Sequence, residues 1–439
     1  MRNSPNTLRP FGARDRVGYM LGNVANDFTF IFASLYLQVF YTDVLGINAA
    51  LVGTMFLIAR IVDAFTDTAM GRICDKTKAT KNGKFKPWLL RACGPVALAS
   101  FLMYQSFATG LSMPLRIVYM FVTYLLWGSI CYTCINIPYG SMASVMSNEP
   151  DHRASLSTFR GVGSMIPQIL VGVVVPMFLY TEMADGTKVA NASAFPIVAL
   201  VTSILAVVCY IACYFLCTER VKVTEGSKSI SFADTLKALA GNRALIGISL
   251  VFICYLGAQM LNQTINNYIF KDYFGDTMGL SVMNAAGFAA ALGTVAFGLL
   301  FVIRTTNMWL YTIVNIVGLL GFGLFNLIIW AFVSDVIDDQ EVRTGNREDG
   351  TIYAVCSFSR KLGQAIASAL GGWALGWIGY AEGSLSGQTQ AVKDGIYNIA
   401  TLVPMILYIA VGVCLIAIYP LSKKKVNENT ATLKVRRGE

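Results

Sequence analysis

The sequence predicts an all-α membrane protein that crosses the bilayer many times, on three observations. Of its 439 residues 55% are hydrophobic and only 13% are charged, where soluble domains carry roughly 25% charged residues. The apolar residues gather into runs long enough to cross about 30 Å of hydrocarbon. The basic residues collect in a few short loops, and no polar stretch is long enough to form a separate soluble domain.

Eleven spans are read, at 17–42, 47–73, 87–108, 115–146, 156–180, 193–217, 244–274, 280–303, 308–336, 351–380 and 396–420. The first follows a basic start, Arg2, Arg9, Arg14 and Arg16, and carries Asp27. The second carries Arg60, Asp63 and Asp67 and runs into a basic loop of Lys76, Lys78, Lys81, Lys84 and Lys86. The fourth holds Thr133, Asn136 and Pro138, and the fifth holds Arg160 near its start. Thr218–Arg243 is polar and basic, and divides six spans from the rest. The tenth span carries Lys361, and Lys423–Lys425 follow the last. The resulting division is an N-terminal six-helix bundle (1–217), a cytoplasmic linker (218–243), a C-terminal bundle (244–420) and a polar cytoplasmic tail (421–439).

The net charge of +9 follows the positive-inside pattern, not a nucleic-acid footprint. It places the N-terminus in the cytoplasm and the chain in the cell membrane as a multi-pass protein. Met1–Arg16 has no apolar core of its own, so no cleavable signal peptide is expected. An odd number of spans puts the C-terminus outside, against the basic tail. The count is short between Phe274 and Trp309, in the second half.

Ten cysteines lie mostly in apolar spans and read as small buried residues. Cys131 and Cys134 form a CxxC with no second pair nearby, and His152, the single histidine, lies in a polar loop. A histidine-based triad or metal centre is excluded, so no cofactor and no enzyme activity are expected.

Ionisable groups inside a membrane are costly and mark ion or substrate paths. Asp63 and Asp67, at i and i+4, share one helix face roughly 6 Å apart. Two such acids need a cation or a proton between them. With a rise of about 1.5 Å per residue, Asp27, Asp63, Asn136 and Lys361 all lie roughly 16 Å from the inner end of their spans. Four polar groups from four spans thus share one level. Asp63 and Asp67 offer oxygens to a hard monovalent cation, Na⁺, or take a proton; Thr133 and Asn136 add neutral oxygens. Asp27 and Arg160 offer an acceptor and a rigid donor to a polyhydroxylated substrate. Lys361 can pair with a carboxylate, and Tyr36, Tyr124, Trp127 and Tyr132 are candidate stacking partners for a sugar face.

Each has a structural alternative. Arg60 can form a local ion pair with Asp63, Asp67 and Lys361 can reach toward the inner interface, and Arg160 can meet headgroups. Asn136 can satisfy backbone groups freed by Pro138. The aromatics can simply pack, as Ala365–Gly372 does by its small residues.

These residues together resemble the glycoside–pentoside–hexuronide:cation symporters, the group that includes melibiose permease, within the major facilitator superfamily. The matching pieces are Asp27-Phe28; Phe40-Tyr41-Thr42-Asp43; Arg60-Ile61-Val62-Asp63-Ala64-Phe65-Thr66-Asp67; Gly83-Lys84-Phe85-Lys86-Pro87-Trp88; Asn136-Ile137-Pro138-Tyr139; Ser334-Asp335-Val336-Ile337-Asp338; and the Lys361 helix ending Ile378-Gly379-Tyr380. The resemblance implies sugar:cation symport in a two-bundle, twelve-helix fold. It implies that Asp63 and Asp67 bind the coupling Na⁺ or H⁺ with Thr133 and the position of Asn136, that Asp27 and Arg160 hold sugar hydroxyls, and that Lys361 bridges the two sites. The partners it implies are a small glycoside or oligosaccharide, a monovalent cation and the lipid bilayer, with a monomer assumed.

Three departures stand out. Melibiose permease has an acid at the position of Asn136 and a Trp at that of Gly140, so the local sequence is closer to relatives carrying xylosides, glucuronides or other β-glycosides. Ser281–Ile303 followed by Arg304-Thr305-Thr306-Asn307 reads as the start of an eighth helix joined to the end of a ninth, with one helix and its basic loop lost. A truncated or repurposed member that binds sugar without transport is therefore one alternative. A membrane-embedded enzyme or lipid-handling protein is another, and it finds no nucleophile–base pair here.

Overall fold

A computed structural model describes residues 9–147, 149–182, 188–221, 242–275, 293–345, 349–382 and 388–437. Most of the linker and residues 280–292 of the eighth span lie outside the described residues, so the expected helix fusion is only partly on view. The helices are α1 (Ala13–Val39), α2 (Ala49–Lys76), α3 (Lys86–Leu102), α4 (Met113–Tyr124), α5 (Thr133–Met146), α6 (Pro150–Ile169), α7 (Pro176–Leu179) and α8 (Ala194–Leu216). They continue as α9 (Arg243–Tyr268), α10 (Gly293–Ile303), α11 (Met308–Thr344), α12 (Asp349–Trp377), α13 (Gln390–Val413) and α14 (Lys423–Arg437).

Wide π-helical turns prolong several of these helices. Phe40–Val44 extends α1, Leu170–Val174 extends α6, Ile269–Tyr273 extends α9 and Cys414–Ile418 extends α13. Leu125–Tyr132 joins α4 to α5, so Met113–Met146 is one helix. Among the described residues six helices are long and apolar enough to cross a membrane. α3 and α10 are short, at 17 and 11 residues, while α1 and α12 are long but polar in places, because they carry Asn23, Asp27, Arg360 and Lys361.

Two local expectations change. The segment after the fifth span is not a plain loop: Tyr180–Glu182 pairs antiparallel with Lys188–Ala190 as β1 and β2. The polar tail holds a 15-residue helix, α14.

The chain divides into two compact units. One comprises Met1–Asn48, Ile58–Ser227 and Glu382–Leu385; the other comprises Ala49–Leu57, Lys228–Ala381 and Ser386–Glu439. In the first, α1 packs on α8 and α6, and α3 packs on α8 and α5. Gly22 makes the α1 approach possible, since a Cβ there would lie 2.8 Å from the Cys213 sulfur. Phe32, Phe40, Tyr104 and Phe195, all fully buried, form an aromatic core with ring centroids 4.5–6.2 Å apart.

A charged node closes one end of this unit. Asp15 is fully buried and compensated by Arg220 at 2.7 Å, Arg9 at 2.9 Å and the Thr218 N–H at 3.0 Å. The α3 helix starts without a capping side chain of its own. Glu219 supplies the cap, its carboxylate accepting from the N–H groups of Lys84 (2.7 Å), Phe85 (2.9 Å) and Lys86 (2.7 Å).

In the second unit α9 packs on α12 and α13, and α10 on α11 and α13. Val251, Tyr255, Val336, Val355 and Cys356 lie in its apolar core. The α9–α12 approach depends on Gly363, where a Cβ would sit 2.7 Å from the Ile253 carbonyl. The turn from α10 to α11 is tight: Arg304 adopts a left-handed backbone (φ 45°), and Asn307 caps α11 by accepting from Trp309 and Leu310 at 2.9 and 3.2 Å.

Candidate functional site

Two polar clusters in the first unit hold most of the candidates. On α1, Asn23 and Asp27 lie one turn apart; on α6, Arg160 and Ser164 have the same spacing. The Asn23 carboxamide joins all of them. Its Nδ2 donates to Asp27 Oδ2 at 2.7 Å and to Ser164 Oγ at 2.7 Å, and lies 3.2 Å from the Arg160 carbonyl. Its Oδ1 accepts from Arg160 Nε at 3.0 Å. The Arg160 guanidinium lies over Tyr139, 5.6 Å from the ring centroid. Tyr139 is itself fixed by stacking on Tyr19 at 4.7 Å and by donating to the Tyr19 carbonyl at 2.7 Å. Asp27 is half-buried, and Arg160 is exposed.

The second cluster lies between α2 and the wide turn Leu125–Tyr132. Ser129 Oγ donates to Asp63 Oδ1 at 2.6 Å, and Thr133 Oγ1 donates to Asp67 Oδ1 at 3.0 Å. Ser129 and Thr133 are also four apart, so a pair of hydroxyls on one helical stretch meets a pair of carboxylates on another. Asp63 is 8% exposed, and a bare carboxylate there would cost several kcal/mol. Arg60 Nη1 compensates it at 3.0 Å from Oδ2. The local Arg60–Asp63 pair that the sequence offered as an alternative therefore forms.

Tyr132 stands between the clusters. It stacks on Phe30, 5.8 Å between centroids, and meets the Trp127 ring at a tilt, 5.5 Å between centroids. Phe30 lies three residues beyond Asp27 on α1, and Tyr132 directly precedes Thr133. Trp127 also meets Tyr124 at 5.8 Å, is buried, and its indole N–H has no acceptor among the described residues. Asn136, three residues beyond Thr133, is half-buried on α5.

Tyr36 does not join this group, which corrects the sequence reading. It is fully buried, its hydroxyl donates to the Val171 carbonyl at 3.2 Å, and its ring lies against Phe32. Nine residues of helix put it about 13 Å along α1 from Asp27, so it is a packing aromatic. Lys361 is half-buried on α12, in the other unit.

Sequence reasoning missed Asn23, Ser129 and Ser164. Each lies four residues from a residue it singled out: Asp27, Thr133 and Arg160. Helical spacing was therefore the available signal. His152, by contrast, is locally engaged, with Ser147 at 2.9 Å and Glu149 at 3.1 Å, and stacks on Phe11. Among the described residues no group of three or more His, Cys, Asp or Glu side chains is placed to hold a metal ion.

Comparison with known proteins identifies the family. Residues 18–298 and 284–423 match the family described as MFS/sugar transport protein. The chain is 31% identical to the glucuronide carrier protein homolog of Escherichia coli (strain K12), covering 94% of each. It is 32% identical to the isoprimeverose transporter of Lactiplantibacillus pentosus, over 83% of this chain and 80% of the relative. A bacterial homolog of the human lysosomal transporter Spinster, solved in an inward-facing and occupied conformation, superposes with a TM-score of 0.64 at 9% identity, covering 94% of this chain and 97% of that one. A likeness that distant speaks for the fold alone. Membrane-length helices, acids compensated inside them, and a family match over nearly the whole chain lead to one conclusion: this chain belongs to the MFS/sugar transport protein family and is a multi-pass membrane transporter.

Proposed function

We propose that this protein carries a glycoside or short oligosaccharide across the cell membrane together with Na⁺ or H⁺, by alternating access. The observation that carries the reading is the meeting of the two clusters at Tyr132. One cluster offers carboxylate and hydroxyl oxygens at Asp63, Asp67 and Thr133 for a small hard cation, and Asn136, one helical turn beyond Thr133 in the chain, is proposed to join them. The other offers Asp27 and Arg160 to sugar hydroxyls, and Trp127 and Asn136 are proposed as further substrate contacts on the strength of the sequence. Arg60 is the resident counter-charge of Asp63 when no coupling cation is bound, so cation entry displaces one positive charge by another. Lys361 is proposed as a further substrate-linked residue on the strength of the sequence alone. The names of the two relatives, a glucuronide carrier homolog and an isoprimeverose transporter, support a sugar carrying a glycosidic bond. The basic clusters around Arg14 and Lys84 support a cytoplasmic N-terminus.

The test is uptake of a panel of labelled glycosides, including isoprimeverose and a glucuronide, into proteoliposomes with Na⁺ and H⁺ gradients imposed separately. One gradient should accelerate uptake of at least one sugar. Asp63→Cys should abolish that acceleration while the protein remains in the membrane. Asp67→Asn, which leaves the Arg60–Asp63 pair alone, should do the same. Unchanged coupling in both variants removes the acid pair from the mechanism.

A specific observation favours a second reading, a carrier with an incomplete C-terminal half. The alignment to the glucuronide carrier homolog runs over 441 positions, yet 94% of 439 residues is about 413, so about 28 aligned positions have no residue here. The isoprimeverose transporter gives a similar difference, 393 positions against 83% of the chain. One membrane helix needs about 20 residues. The family match also breaks into two pieces overlapping at 284–298, the stretch where the sequence count is short. Sugar binding by the purified protein with no uptake under either gradient would favour this reading.

A further inference from the structure

We propose that Asn23 is a positioning residue: its carboxamide holds Asp27 and Arg160 apart, so that acceptor and donor both stay open to a substrate. The inference rests on the proposed sugar role of Asp27 and Arg160.

The reasoning begins with what two opposite charges do in a membrane bundle. A carboxylate and a guanidinium on neighbouring helices tend to close into a bidentate ion pair, because in low dielectric each is otherwise poorly compensated. Closure would occupy both Asp27 oxygens and one edge of the guanidinium. Among the described residues no direct Asp27–Arg160 ion pair forms. The carboxamide stands between them, meeting each charge with the matching end of its dipole. The N–H end faces Asp27 Oδ2 at 2.7 Å and the oxygen end faces Arg160 Nε at 3.0 Å. Ser164 Oγ takes the remaining Nδ2 hydrogen at 2.7 Å and fixes the amide plane.

The consequence is a division of hydrogen-bonding capacity. Asn23 uses one oxygen of Asp27 and the Nε of Arg160. The Ser164 hydroxyl also meets the Asp27 carboxylate and the Tyr19 hydroxyl meets the Arg160 guanidinium, so what Asn23 preserves is the remaining carboxylate lone pairs and guanidinium N–H groups, with Tyr139 supporting the guanidinium face at 5.6 Å. An acceptor and a fork of donors held at a set separation match adjacent hydroxyls on one sugar ring, one donating and one accepting. Alanine at this position lets the two charges collapse onto each other. Aspartate would pair with Arg160 directly and turn the neutral group of position 23, Asp27 and Arg160 into a net negative one.

The experiment compares wild type, Asn23→Ala, Asn23→Asp and the double variant Asn23→Ala/Asp27→Asn, each in detergent or nanodiscs. Two readouts are used. The first is equilibrium binding of the labelled glycoside panel. The second, independent of any sugar, is modification of Arg160 by phenylglyoxal, with Arg160→Lys marking which product belongs to Arg160. Asn23→Ala should weaken sugar binding about tenfold, as losing the geometry of a hydrogen bond to a charged group does, and should slow Arg160 modification. The double variant, with no carboxylate left to pair, should restore the modification rate without restoring sugar binding. Melting temperatures within a few degrees of wild type would separate this from a folding defect. Equal sugar affinity and equal Arg160 reactivity in Asn23→Ala would overturn the spacer role while leaving the sugar site standing. Wild type binding no sugar of the panel, with Arg160 reactivity unaltered in Asn23→Ala, would overturn both.

Discussion

Asp63 and Asp67 look equivalent in the sequence and are not equivalent in the fold. Asp63 has a resident arginine and Ser129, while Asp67 has Thr133. Thr133→Val therefore tests the cation reading with little change of volume. It removes one neutral oxygen at 3.0 Å from Asp67 and should raise the half-saturating concentration of the coupling ion about tenfold, the equivalent of about 1.4 kcal/mol. Maximal sugar uptake at saturating ion should stay near wild type, and ion-titrated uptake measures both. An unchanged half-saturation would mean that the hydroxyl only steadies the helix pair. The sequence was informative about acids because a carboxylate in an apolar run is rare and costly. It was poor at Asn23, Ser129 and Ser164, because amides and small hydroxyls are common in membrane helices, and only their partners give them meaning. Tyr36 failed for the opposite reason: its ring suits a sugar face, but its helix turns it into the aromatic core.

The spans were legible at the scale of the element, since length and apolarity are set by bilayer thickness. Their endings were less so. Helix α6 starts at Pro150, earlier than the apolar run, because Pro150 suits a first helical turn and Asp151 follows it. The wide turns were invisible, as no residue type demands an extra residue in a helical turn. The start of α3 also depends on something remote in the sequence, the Glu219 carboxylate beyond α8. Glu219→Ala should leave three backbone N–H groups at that helix start without their acceptor and cost about 1–3 kcal/mol, read as a lower melting temperature of the purified protein. Glu219→Gln, which keeps one acceptor, should fall between. A melting temperature unmoved in Glu219→Ala would show that water replaces the cap without loss.

For the molecule as a whole, the sequence anticipated a transporter of two bundles, and the family match agrees on the transporter. The side of each terminus is a matter of parity. Eleven crossings predict that reporters fused to the two ends report opposite faces of the membrane. Reporters on the same face would restore an even number and remove the case for a lost helix. The basic residues of α14 bear on the outcome, since a cationic tail resists translocation. Parity was hard to read from sequence because the stretch between Phe274 and Trp309 carries no cluster of basic residues to count by. One geometric detail has a reach beyond its size. Ordinary winding advances the chain about 100° per residue, whereas the stretch Leu125–Tyr132, which ends just before Thr133, takes a slacker coil. The phase of everything upstream, relative to everything downstream, is thus locked to the number of residues in those two turns. Surface loops elsewhere tolerate gains and losses of single codons; here one codon more or fewer would swing Thr133 off Asp67 without altering any side chain.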